Sequence, residues 1–327
     1  YGTANRELKA ALARRGAQYC ATADLQLHLC FPKVYRPREG TTSVLFTMFE
    51  SREYAALRDV FAPAFRRADL ICTPSSWCRD LFRDWTDKPI RVVPLGIDPG
   101  LFPYRRRRWG THRGTPFRLL FVGAPNPRKW TILPELYRAA IEPLAGMMQL
   151  YIKTTGAKVS PEIFEGFGES FTWNRDEHGS VLHGLVDGHE TITIDMRLLP
   201  RERVPEIYYG AQAGILPHCG EGWGQTAHEA MATGLPLIVS DHSGTREFAK
   251  RGRAYLVPTH DTPIGRGLDG VQLLPWPDLS VAESLLAEIV ANYGRATTVA
   301  RRGSQAAHAL SWDNAAAALA RVLRSVV

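Results

Sequence analysis

The sequence predicts an α/β protein made of two doubly wound halves that face one another across a cleft. Three observations carry that prediction. At 327 residues the chain is longer than one hydrophobic core usually supports. Short apolar runs with strand character alternate with helical segments, the pattern of parallel sheet with crossover helices. Between residues 99 and 116 the alternation gives way to a stretch rich in Pro, Gly and Arg, then restarts. The expected organisation is therefore a Rossmann-like half over 1–98, a link over 99–116, a second Rossmann-like half over 117–310, and a last helix over 311–327 that packs back on the first half.

The first half opens on YGTANRELKAALARRG, where Leu8, Ala11, Leu12 and Arg15 keep helical spacing and Gly16 stands where a helix stops. A domain that starts on a helix lacks, or borrows, the strand before it. Strands are expected at 24–31, 42–49, 68–74 and in IRVVPLG, with helices from Tyr54 to Arg67 and from Ser76. The second half reads as strands in FRLLFVG, MQLYIKT, TITIDMRL, AGILP, LPLIVSD and AYLVP. Helices fall between them, from about Thr131, at Pro205–Tyr209 and through Glu229, and helices fill the end. Residues 155–190 fit neither pattern and are expected to form a loop or a helical insertion.

Charge is unevenly distributed. Residues 1–110 carry a formal +8 and the remainder −1, a one-sided field suited to an anionic partner or surface. Its sharpest feature is YRRRRW, Tyr104 to Trp109, in which four adjacent arginines repel one another unless solvated or matched by an anion. A solvated loop and a contact with a lipid headgroup or other anion are both consistent with it. The run lacks interleaved aromatics for base stacking, so nucleic acid is not an expected partner. Five scattered cysteines lack the close pairing of a zinc or redox motif, and no apolar run approaches the ~18 residues of a membrane span. A cytoplasmic protein, with peripheral contact at an anionic membrane, is expected.

The segment GILPHCGEGWGQTAHEAMATGLPLIVSD, residues 214–241, has the strand, glycine loop, helix, strand order of a dinucleotide site. Gly220 and Gly222 fit the first two glycine positions, but the third falls on Gln225, and Gly224 comes one residue early. Hydride chemistry is thereby disfavoured. A helix starting near Trp223 still presents free N–H groups and partial positive charge to a phosphate, and Gly222 and Gly224 permit close approach. Glu221 and Glu229 lie eight residues apart, roughly 12 Å along a helix at 1.5 Å per residue. That exceeds the about 5–9.5 Å of a glycosidase carboxylate pair. Two hydroxyl acceptors flanking a phosphate site describe a nucleotide sugar.

These residues resemble the retaining glycosyltransferases of family four, which have the GT-B fold. The resemblance rests on the Glu-x7-Glu spacing, the EAMA-x-G-x-P-x-I continuation, VPEIYYGAQAGILP, SDHSGTREF, VVPLGIDPGLF, and LSW before the last helix. It implies that Glu229 accepts from the ribose and that Glu221 binds donor-sugar hydroxyls near the reacting centre. It also implies that the N–H groups of Trp223, Gly224, Gln225 and Thr226 meet the diphosphate, with Gly222 close by. Family members carry Gly-Arg, four residues, then Lys-Gly after the first strand of the second half. Here VGAPNPRKW keeps Lys129, replaces the arginine with Ala124, and offers Arg128 as a substitute cation.

On the acceptor side, Glu50 in LFTMFES ends a strand facing the cleft, where it is expected to orient the acceptor hydroxyl or assist its deprotonation. It serves equally as a helix cap or ion-pair partner. His28 alternates with leucines, more as a core histidine than as an acceptor ligand. Gly2 and Thr3 resemble the end of the family's glycine-rich loop under the donor phosphates. No Asp-x-Asp occurs, so no metal and no cofactor is expected beyond the nucleotide-sugar donor itself. His218, Cys219 and His228 flank the loop, and one helix does not readily aim all three at a metal.

The expected function is transfer of a sugar, with retained configuration, from a nucleotide diphosphate to a hydroxyl of a glycan, lipid-linked or small-molecule acceptor. A nucleotide-sugar epimerase or phosphorylase on the same fold and a non-catalytic anion-binding protein remain alternatives.

Overall fold

The computed structural model describes the chain except residues 1, 19, 21, 51–56, 110–114, 125–126, 155–166, 168–171, 176–180, 268–269 and 327. Two main sheets organise it. The first is parallel throughout, in the order β1 (Leu25–Leu29), β2 (Thr42–Phe46), β3 (Leu70–Thr73) and β4 (Ile90–Val92). Its β3, LICT, is buried at every position, as a central parallel strand covered on both faces must be. Helix α1 (Gly2–Arg14) precedes it, and Gly16 follows with φ +84°, the left-handed conformation that glycine adopts without strain. Helices α2 (Arg58–Arg67) and α3 (Ser76–Phe82) make the crossovers. The expected start of α2 at Tyr54 lies outside the described residues. Ser75 caps α3 by accepting from the Cys78 N–H, a bond that contributes about 1 kcal/mol.

Among the described residues the second sheet has eight strands. From β5 (Phe117–Val122) it runs on one side to β6 (Met148–Lys153) and on the other to β10 (Ala213–Leu216), β11 (Leu237–Ser240) and β12 (Tyr255–Val257), all parallel. Beyond β6 it continues through β9 (His189–Asp195), β8 (Val181–Val186) and β7 (Thr172–Arg175), with β7–β8 and β8–β9 antiparallel. The described part of 155–190 is thus largely strand, not the loop or helix expected from sequence. Its turn is Asp187–Gly188, with φ +50° and +78°, the paired positive values that suit a two-residue hairpin. A second antiparallel pair, β13 (Thr259–Gly267) and β14 (Gly270–Pro277), stands where only helices were expected.

The helices of this half are α4 (Pro127–Trp130), α5 (Leu133–Ala140), α6 (Val204–Tyr209), α7 (Gln225–Ala232), α8 (Leu279–Ala291) and α9 (Tyr293–His308). Thr131, with φ +35°, separates α4 from α5. The last helix, α10 (Trp312–Arg324), packs against α1, where Arg14 pairs with Asp313 at 2.9 Å. The stretch between the sheets is anchored rather than free. Phe102 is fully buried, and the Arg107 guanidinium donates to Ala211 O (2.6 Å), Gly234 O (3.0 Å) and Thr233 Oγ1 (3.3 Å). One of the four arginines is therefore structural, which neither reading of the run foresaw.

Candidate active site

Three connections converge at the carboxyl ends of the parallel strands, where ligands of doubly wound sheets bind. The β2 strand leads to Glu50, β5 leads to α4 with Arg128 and Lys129, and β10 leads through 217–224 into α7. Glu221 sits in the last of these connections and is 6% exposed. Its Oε1 lies 2.9 Å from Lys129 Nζ, 2.9 Å from His218 Nδ1 and 3.9 Å from Arg128 Nη1. Burial alone raises the Glu221 carboxyl, but Lys129, His218 and Arg128 together hold it well below the ordinary carboxylate range. Glu221 is thereby kept ionised. His218 is pushed below its ordinary value by burial, only partly offset by Glu221, so the neutral imidazole is favoured.

Arg128 donates to Glu50 Oε2 across the cleft and to Gly220 O in its own half. The Glu50 side chain is 48% exposed, that of Arg128 17%. Backbone bonds fix the supporting segments: Cys219 N–H donates to Arg128 O (2.9 Å) and Thr131 Oγ1–H to Pro217 O (2.6 Å). The structure thus brings together Glu50, Arg128, Lys129 and Glu221, four residues singled out from sequence, and joins to them His218, which the sequence marked only as flanking the loop.

Gly224 is the N-cap of α7, with φ +88°, so the helix begins at Gln225 rather than near Trp223. The loop before it is tightly packed. A Cβ on Gly222 would lie 2.9 Å from both Met48 Cβ and Phe49 O of the first half. Gly244, packed on the same loop, would place its Cβ 2.2 Å from Gly222 O. The Trp223 ring is buried, its Nε1–H donating to His228 Nδ1 at 3.2 Å. Gln225 and Thr226, in the first turn of α7, are half-buried, and Gln225 Nε2–H donates to Gly96 O at 3.1 Å.

Glu229 occupies a separate buried position further along α7, 4% exposed, where Arg201 Nη1 (2.7 Å) and Tyr208 OH (2.9 Å) donate to its two oxygens. Burial raises its carboxyl, and Arg201 and Tyr208 offset that only in part. Sequence reading missed Arg201 and Tyr208. The signal available was Tyr208 in the recognised VPEIYY stretch.

Gly2 and Thr3 stand in the first turn of α1, which Asn5 ties to the carboxyl end of β1 by donating to Leu29 O at 3.1 Å. His28 lies apart on β1, its ring edge-on to Tyr35 (centroids 4.9 Å) and its Nε2 3.1 Å from Gln26 Oε1. Cys219 and His228 do not gather with His218. The His228 Nε2 lies 3.0 Å from Ala307 O, and among the described residues no group of three His, Cys, Asp or Glu is placed to hold a metal ion. No helix among them is long and apolar enough to cross a membrane.

At the far side of the same strand ends, Tyr151 OH (2.6 Å) and Arg197 Nη2 (2.8 Å) donate to Asp195 Oδ2, and Lys153 Nζ lies 3.4 Å from Asp195 Oδ1. Burial raises the Asp195 carboxyl, but these donors outweigh it and hold it low. The first half reaches the second a further time through α3, where the Ser76 N–H (2.6 Å) and Oγ–H (2.5 Å) donate to Glu247 Oε1, in the segment that follows β11.

Residues 177–264 match the family model "Glycosyl transferases group 1". The chain is 29% identical over 225 residues to a D-inositol 3-phosphate glycosyltransferase from Acidothermus cellulolyticus, covering 64% of this chain and 47% of the relative. To the protein of that name from Corynebacterium urealyticum it is 26% identical over 127 residues, covering 39% and 26%. The chain thus spans less than half the length of either relative. Among solved structures it superposes on sucrose-phosphate synthase from Thermosynechococcus elongatus with a TM-score of 0.65 at 18% identity, covering 87% of this chain and 68% of that one. Anabaena HepE in complex with UDP and glucose gives 0.64 at 13%, covering 87% and 72%. These likenesses, together with the paired sheets, show that the chain has the GT-B fold, and the family model and the curated relatives it resembles are those of glycosyltransferases.

Proposed function

We propose that the chain transfers a sugar from a nucleoside diphosphate sugar to an acceptor hydroxyl, with retained configuration and without a metal ion. The observation that carries this reading is the position of Arg128 and Lys129 beside the buried carboxylate of Glu221 at the carboxyl ends of the sheet. When the bond between the anomeric carbon and the diphosphate breaks, the leaving group gains negative charge. Fixed cations stabilise that charge best because they need no reorganisation as it develops. Lys129 and Arg128 supply those cations, and the first turn of α7 adds N–H donors.

Glu221, held ionised, accepts from hydroxyls of the donor sugar. Glu229, in its buried position on α7, is assigned to the ribose hydroxyls, and Glu50 orients the acceptor from the opposite wall. Gly2 and Thr3 belong to the rim under the phosphates, and His28 to the acceptor side. The solved complex of HepE with UDP and glucose supports a nucleoside diphosphate as the carrier. The acceptor is a hydroxyl compound, a glycan, lipid-linked or small.

The test is a thermal-shift panel of nucleoside diphosphates and their sugars, with and without a chelator. Specific stabilisation by one nucleotide, unchanged by chelator, is expected. No response to any of them would sink the reading, and a response abolished by chelator would overturn its metal-free part. The configuration at the anomeric carbon of the product, read by NMR, decides retention.

A further inference from the structure

The arginine run borders a cavity at the opposite end of the second half. It encloses about 260 Å³ and is lined by Arg105, Arg106, Arg107 and Arg108 together with Tyr209 and Tyr293. The surrounding segments mark its place: Gln212 donates its N–H to Arg118 O at the start of β5, and Gly214 to Pro236 O just before β11. This is the amino end of the parallel strands. The Glu221 loop and both cations beside it leave from the carboxyl end, so the cavity is a different site.

Its walls are fixed. Arg107 is held by its three hydrogen bonds, and burial lowers its pKa to about 10, still cationic at neutral pH. The Arg105 guanidinium lies 3.9 Å from the Tyr209 ring centroid, a cation–π contact that orients it. Both tyrosine hydroxyls are tied to backbone, Tyr209 to Pro103 O (2.6 Å) and Tyr293 to Gln212 O (2.9 Å). Arg105, Arg106 and Arg108 are exposed, and among the described residues the lining contains no carboxylate to neutralise them. Four adjacent positive charges around a concave, pre-organised floor have one natural complement. Guanidinium forks match the oxygens of phosphate in charge and in geometry. Sites for drug-sized ligands occupy about 300–1,000 Å³. This smaller cavity suits one phosphate ester with part of its carrier, not a whole nucleotide sugar.

We propose that Arg105, Arg106 and Arg108, on the floor set by Arg107, Tyr209 and Tyr293, form a phosphate-ester site separate from the donor cleft. The ester comes from a soluble phosphorylated compound or from a phospholipid headgroup. The test uses the full chain at low ionic strength with two probes: glycerol phosphate by calorimetry, and vesicles of phosphatidylglycerol against vesicles of phosphatidylcholine by co-sedimentation. Arg107 stays in place for its structural bonds, and the variant is Arg105→Ala/Arg106→Ala/Arg108→Ala. A second variant, Arg128→Ala/Lys129→Ala, reports binding in the cleft.

Glycerol phosphate or phosphatidylglycerol binding that falls at least ten-fold in the triple variant and persists in the double variant is expected. Binding of the soluble probe assigns the site to free phosphate compounds, and binding of phosphatidylglycerol vesicles alone assigns it to the membrane surface. Several outcomes overturn the proposal: loss in the double variant instead, equal binding by the triple variant and the parent, or no binding of either probe.

Discussion

Glu50 and Arg128 stand 78 positions apart in sequence, yet the Glu50 carboxylate accepts a hydrogen bond from the Arg128 guanidinium across the cleft. The same guanidinium approaches Glu221 to 3.9 Å, so one cation faces a carboxylate from each half. On the proposed function, a diphosphate entering the cleft is expected to compete with Glu50 for that cation.

Replacing Glu50 by Gln removes the competing charge. Because the Glu50 side chain is half-exposed, solvent screening limits the gain, and nucleoside diphosphate affinity is expected to rise roughly three- to ten-fold. Turnover is expected to fall in the same variant through the acceptor. Calorimetry with the nucleotide and initial rates with the complete reaction measure the two effects, and an unchanged nucleotide affinity contradicts the competition.

Lys129→Ala takes away the cation 2.9 Å from Glu221 Oε1 and, on the proposed function, one of the two charges that meet the leaving group. A charged hydrogen bond is worth about 1.5–3 kcal/mol, which corresponds to a turnover loss of roughly 10- to 150-fold. Since the interaction strengthens as the bond breaks, kcat is expected to fall more than KM rises. Steady-state kinetics separate the two, and a change confined to KM assigns Lys129 to ground-state binding alone.

Arg201→Ala removes the cation from the buried Glu229 carboxylate and leaves it the neutral donors Tyr208 and Gln225. Breaking a buried pair from one side costs about 3–5 kcal/mol. Urea unfolding is expected to show a loss of that order, and Arg201→Ala/Glu229→Ala to recover part of it, as coupled neighbours do. If the two single variants lose stability additively in the double one, the pair is not a coupled unit.

His228 gives the fold a pH dependence. It is fully buried between the Trp223 indole and Ala307 O, and burial lowers its pKa to about 4, against about 6.5 in an unfolded chain. Between those values the unfolded chain binds a proton that the folded chain does not, so stability rises with pH and is lost as pH falls from about 6.5 to 4. The full effect is about 3 kcal/mol. Comparing unfolding midpoints at pH 7 and pH 5 in the parent and in His228→Gln tests this, the variant being expected to show the shallower slope. Equal slopes exclude His228 as the source.

What the sequence disclosed about this site follows from how local each relationship is. Glu221, the glycines and Glu229 belong to one loop and helix, so their spacing alone suggests a phosphate-binding turn. The Arg201–Glu229 pair spans 28 positions and forms only because the segment before α6 and the helix α7 flank the same strand, β10. No periodicity encodes that. The Asp187–Gly188 turn is different, because Asp-Gly between alternating apolar residues is a strong hairpin signal. Five further glycines and several charges in the 155–190 stretch masked it. For β13 and β14 the prolines at 263, 275 and 277 argue against strand, and the pair accommodates them in a two-stranded ribbon where no interior ladder is broken.

The chain passes between its halves twice, once after β4 and once before α10, and both passages touch at one spot. Ile97 N–H donates to Leu310 O (2.9 Å), Trp312 N–H donates to Ile97 O (3.2 Å), and a Cβ on Gly96 would lie 2.3 Å from Trp312 N. Two bodies fastened at a single knuckle cannot slide apart; they swing. Any gaping of the mouth therefore grows with distance from that knuckle, and among the ties it must undo are the two carboxylate latches, Glu50 on Arg128 and Glu247 on Ser76, and the Cys78 Sγ–H bond to Gly222 O.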